Sequence, residues 1–138
     1  MGSRRLARET ALQMLYLCDN CGFTPDEAEL ICFTEMKTPV TSQDFADSLF
    51  KGTWDKKGLL DVLIGDHAEN WEMDRMAVID RNILRFAAFE ITDMPETPIN
   101  VIIDEAVEIA KKFSTIDSGK FVNGILDKLK SERKETKH

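Results

Sequence analysis

The chain has 138 residues, 43% of them hydrophobic and 31% charged, the balance of a globular protein rather than a disordered or fibrous one. No apolar run approaches the ~20 residues that cross a bilayer, and the start, Met1-Gly2-Ser3-Arg4-Arg5, leads into a polar helical pattern rather than the apolar stretch of a secretory signal, so a cytoplasmic protein is expected. A net charge of −7 excludes a surface that is basic throughout and confines any nucleic-acid site to a local patch.

Ser3 is placed to cap a first helix running to about Cys18, with Ala7, Ala11, Met14, Leu15 and Cys18 on one apolar stripe. At 100° per residue, Arg5, Arg8, Leu12 and Tyr16 fall on the opposite side, with Arg4 close by. Arginine grips phosphate in a two-pronged fork, and an aromatic ring stacks on an unpaired base. Taken alone, the same stripe also fits an ordinary polar face with Tyr16 packed on a neighbouring helix.

Thr24-Pro25-Asp26-Glu27 has the form of a capping box and starts a second helix that buries Ala28, Ile31 and Cys32 and ends near Met36. Ser42 is expected to open a third helix. Phe45, Leu49, Gly52, Lys56, Leu60 and Leu63 keep the spacing, so it continues, bent or broken, into a fourth ending between Gly65 and His67. A fifth is expected over Asp74 to Ile91, with Val78, Ile79, Ile83, Leu84 and Ala87 inward. Val101-Ile102-Ile103 has a strand-like composition. Acids leading and lysines ending Asp104 to Phe113 match the helix dipole, so the whole stretch is assigned to one helix capped by Asn100. A last helix spans about Ser118 to Lys130, with Val122, Ile125, Leu126 and Leu129 inward. Phe121 lies away from that face beside Lys120, Gly124 and Lys128, which suits a stacking platform or a ring filling a gap between lobes. The charged tail, 132–138, is expected to fray. About seven helices and no sheet make an all-α fold.

Catalytic and metal constellations are weak. The only histidines are His67 and His138, and no phosphate loop, HExxH or GxSxG pattern occurs. Cys18-Asp19-Asn20-Cys21 has CxxC spacing without a second pair, and three cysteines, an odd number, fit a reducing compartment. No enzyme, metal or cofactor is expected.

Four blocks resemble the NusB antitermination family. They are Arg4 to Tyr16, Asp80 to Ile91, Pro98 to Phe113, and Asp117-Ser118-Gly119-Lys120-Phe121-Val122-Asn123-Gly124-Ile125-Leu126-Asp127. They stand in the family order and span both ends of the chain, while Asp19 to Trp71 matches weakly. The resemblance implies one domain of two three-helix lobes, residues 1–70 and 71–131. It also implies a non-catalytic factor that binds the boxA element of ribosomal RNA leader transcripts with ribosomal protein NusE, and joins RNA polymerase and other Nus factors to suppress termination. On this resemblance Arg4, Arg5, Arg8, Tyr16, Asp117, Lys120 and Phe121 form the RNA surface, and Asp74, Asp80 and Arg85 the NusE interface. The short N-terminal arm and acidic charge depart from the pattern and suggest weak RNA binding without NusE. Competing readings are a helical protein-interaction adaptor without RNA affinity, the detached RNA-binding domain of an RNA methyltransferase, and a homodimer that hides the arginine surface.

Overall fold

Periodicity of 3.6 residues dominates this sequence, and the structure, a computed structural model describing residues 3–69 and 71–133, is helical throughout. Seven α-helices occur among the described residues: α1 (Ser3–Cys21), α2 (Pro25–Leu30), α3 (Val40–Asp55), α4 (Lys57–His67), α5 (Val78–Asp93), α6 (Ile99–Phe113) and α7 (Ile116–Leu129). No helix is long and apolar enough to cross a membrane.

Local chemistry explains most boundaries. Helix α1 runs one turn beyond the expected end and stops at Gly22, whose φ of +77° lets Phe23 N–H donate back to the Leu17 carbonyl at 3.2 Å. The capping box at α2 is present: Thr24 Oγ1 accepts from Glu27 N–H, and Glu27 accepts from Thr24 N–H. The second helix then loosens into a π-turn over Ile31–Glu35. Its Ala28 and Cys32 are buried as expected, whereas Ile31 is only half-buried. The third helix starts at Val40 rather than Ser42, and the break into α4 falls at Lys56. Two expectations are corrected. The fifth helix begins at Val78, because Met76 and Ala77 are extended and Asp74 belongs to a short 3-10 turn, Met73–Arg75. Pro98, not Asn100, occupies the cap position of α6, its fixed φ leading directly into the helix. Thr115 caps α7 by accepting from Ser118 N–H at 3.0 Å.

The fifth helix is the hub, packing against α1, α3, α4, α6 and α7. Eleven of its residues are buried, from Asp80 to Ile91 with Arg81 left out. It comes so close to α3 that a Cβ on Gly52 would stand 2.2 Å from the Phe89 ring, so only glycine fits there. The end of α5 is held from the far end of the chain. Arg133 donates to the carbonyls of Glu90, Ile91, Met94 and Thr97 at 2.8–3.1 Å, satisfying groups that a helix end leaves open. Glu132 and Arg133 are therefore tied down rather than frayed, and the remaining expectation for the tail, including His138, concerns residues 134–138, outside the described set.

A polar knot joins α1, α4 and α5. Asp19 accepts from Arg81 at 2.8 Å, Asn82 at 3.0 Å and Arg85 at 2.8 Å, and Arg85 also donates to both oxygens of Asp61. Burial pushes the Asp19 carboxyl up, but the hydrogen bonds and charge of Arg81, Asn82 and Arg85 outweigh it and hold it at about 2. A carboxyl depressed on folding stabilises the protein above its unfolded pKa, near 4, and that stability drains away as pH falls to about 2. Asp19→Asn should therefore cost on the order of 2 kcal/mol at pH 7 in urea unfolding, with the gap to the parent closing between about pH 4 and 2. A pH-independent gap would contradict this origin.

Candidate nucleic-acid interface

The arginines of α1 are used very unequally. Arg4 is exposed, its guanidinium lying 4.0 Å over the Phe45 ring of α3 with its outer side in solvent. Arg5 is half-buried and grips Glu105 of α6 through both prongs, one of them Nη2 to Oε2 at 2.8 Å. The Arg5 hydrogen bonds in turn hold the Glu105 carboxyl below its ordinary value. Arg8 is only 2% exposed and makes two 2.8 Å bonds to Glu90, which is fully buried on α5. Leu12, on the same stripe, is a core residue at 1% exposure. The expectation of an outward stripe through Arg8 and Leu12 is thus corrected: α5 and α6 cover that side of α1, just as α3 covers the other. Tyr16 is half-buried, with its hydroxyl accepting from Asn20 Nδ2 at 3.1 Å. It lines an apolar groove of about 260 Å³ with Leu17, Met36, Ile79 and Phe113.

The second patch belongs to α7 and the start of α5. Asp117 and Lys120 are exposed. Phe121 is half-buried and meets Trp71 edge to face, ring centres 5.3 Å apart at 68°. Gly124 is open, so backbone is approachable beside the rings. The first turn of α5 stands between the two patches, with Ile79 in the Tyr16 groove and Asp80 in a cavity against Phe121. Asp80 is 8% exposed, and its Oδ2 accepts from Ser118 Oγ at 3.2 Å. Its Oδ1 is buried without a hydrogen-bond partner among the described residues, and burial pushes the carboxyl up.

Of the three residues assigned to a protein interface, only Asp74 is fully exposed. Arg85 is 3% exposed and committed to Asp19 and Asp61, so it is an internal tie and not a contact surface. The CxxC cysteines are separated in environment: Cys21 is exposed, while Cys18 is buried and its thiol pushed up to about 11 by desolvation. Sequence reasoning overlooked Trp71 and Phe45. Both are aromatics in the segment where spacing alone did not assign a face, and exposure of a large ring is visible only in three dimensions.

Breaking the Arg8 pair should be costly, since truncating one partner strands a buried charge. Arg8→Ala is expected to lose roughly 3–5 kcal/mol in urea unfolding, and Arg8→Met with Glu90→Leu to regain most of it. A near-neutral Arg8→Ala would mean that water reaches Glu90.

A model of the NusB family matches residues 5–131. The chain is 44% identical over 137 residues, 97% of either chain, to the transcription antitermination protein NusB of Elusimicrobium minutum. It is 42% identical to the protein of the same name from Geobacter sulfurreducens, covering 95% of this chain and 96% of that one. The solved T. maritima NusB superposes with a TM-score of 0.85 at 34% identity, over 94% of this chain and 92% of that one. A structure of antitermination factors NusB and NusE in complex with dsRNA superposes with a TM-score of 0.86 at 26% identity, over 94% and 96%.

Proposed function

The chain belongs to the NusB family, and we propose that it is a transcription antitermination factor that binds boxA RNA of ribosomal RNA leader transcripts together with NusE, and acts with other Nus factors on RNA polymerase. The observation that carries this is likeness along nearly the whole chain, in sequence to proteins named for antitermination and in fold to a NusB solved with NusE and dsRNA. The work is binding rather than catalysis, in the cytoplasm of a bacterium.

Two lobes dividing near residue 70 suit that role, with α5 as their common wall. RNA is read by side chains on both: Arg4, Arg5 and Tyr16 from the first, Lys120 and Phe121 from the second, with Asp117 tempering phosphate attraction at the edge. Arg4 is the freest cation of this set on α1, because Arg5 is already paired with Glu105. Arg8 supports the surface from beneath, by fixing α1 on α5. Asp74 faces the protein partner. With a net charge of −7, long-range steering towards RNA is weak, and NusE supplies part of the positive surface.

The test is anisotropy of a labelled boxA RNA, with and without NusE, across a salt range. Tight, salt-sensitive binding that improves with NusE is expected, and no binding under either condition would overturn the reading. Within that assay Arg4→Ala should weaken binding and lower the salt slope by about 1, as for one lost phosphate contact. Phe121→Ala should weaken it by roughly 1–3 kcal/mol at an unchanged slope, as for a lost stacking surface. Equal slopes for the two variants would remove this division of labour.

A further inference from the structure

Two cavities lie on either side of the Trp71–Phe121 pair, and their linings differ in chemistry. One, of about 280 Å³, is bordered by Lys120, Lys128, His67 and the bare backbone of Gly124, with Glu69 as its acid. The other, of about 360 Å³, contains Asp80, Thr115, Ser118 and Asp117. Its size is within the range of small-molecule sites, roughly 300–1,000 Å³. The same two rings wall both.

The acidic cavity holds an unusual group. Asp80 is more than nine-tenths buried and lines the cavity, yet only one of its oxygens is used, by Ser118 Oγ. The other, Oδ1, is shut from solvent and accepts no hydrogen bond among the described residues. Buried acceptors in folded proteins are nearly always paired. A free acceptor next to an aromatic wall is complementary to a flat ligand that carries a donor on its edge.

We propose, building on the RNA-binding reading above, that this cavity takes one unpaired nucleobase of the bound RNA, its face against Trp71 and Phe121 and its exocyclic amino group donating to Asp80 Oδ1, while Lys120 and Lys128 hold the flanking phosphates on the other side of the rings. Adenine, guanine and cytosine carry such an amino group. Uracil's one N–H lies between two carbonyls that would face the carboxylate, so uracil is disfavoured. Burial raises the Asp80 carboxyl, which suits a neutral amino donor better than a second full charge. The two lysines beside the rings make the neighbourhood less favourable to a lysine or arginine from a protein partner.

The experiment uses the full chain with NusE and a single-stranded boxA RNA. Each amino-bearing base is replaced singly by its amino-free counterpart: inosine for guanosine, purine riboside for adenosine, the pyrimidin-2-one riboside for cytidine. One replacement should weaken binding to the parent protein about tenfold. Asp80→Ala should weaken binding of the unmodified RNA by about the same factor and be indifferent to that replacement. Asp80→Asn keeps an oxygen for Ser118 and turns its N–H towards the cavity. It should show the same indifference and guards against a folding defect in the alanine variant. Losses that multiply independently at every position would overturn the assignment while leaving RNA binding intact. So would an Asp80→Ala protein that loses affinity for NusE alone, which would give the cavity to a protein side chain. Absence of RNA binding by the parent with NusE would overturn the antitermination reading, and this assignment with it.

Discussion

Everything in this molecule is arranged around one buried ion pair, Arg8 with Glu90. Both partners are out of water, and each answers the other with two parallel hydrogen bonds. In such a place the Coulomb attraction mostly repays desolvation, so the pair adds little net stability but tolerates almost no displacement. It therefore sets the register of α1 on α5. Arg5 to Glu105 and Lys112 to Glu9 extend the same tie to α6. Once α5 is set, its other side chains reach α3, α4 and α7, and both candidate RNA patches border its first turn.

This arrangement explains how an acidic protein presents a small basic site. Three arginines open the chain, but two are balanced by carboxylates of α5 and α6, leaving Arg4 free on its outer side. The remaining cations near an aromatic surface, Lys120 and Lys128, lie on α7. The site is thus assembled from separate elements, and its affinity rests on rigid placement and stacking more than on accumulated charge.

Helices were legible because each carries its own signal. The stripe of Val122, Ile125, Leu126 and Leu129, the capping box at Thr24 and the turn at Gly22 are local, and all are seen as expected. The role of Arg8 was not legible by spacing. A helical wheel shows which residues share a face but not what covers it, and Glu90 is 82 positions away. Arg85 misled for the same reason, its carboxylate partners lying on α1 and α4. The late start of α5 reflects two extended residues, Met76 and Ala77, whose side chains give no warning of it. Family resemblance pointed to Phe121 and Lys120, whereas Trp71, which completes the aromatic wall, fell where resemblance was weak.

The long reach of these ties also bears on how the chain matures. Arg5 and Arg8 leave the ribosome when neither Glu90 nor Glu105 has been translated, and Arg133, which closes the end of α5, follows more than forty residues later. A nascent first lobe would therefore hold unmatched charges and an uncovered apolar stripe, and docking of α1 must wait for the second half of the protein. Because Arg8 is withheld from solvent only after that docking, a half-made chain would display more cationic surface than the finished one, so closure of the fold itself removes an indiscriminate attraction to nucleic acid.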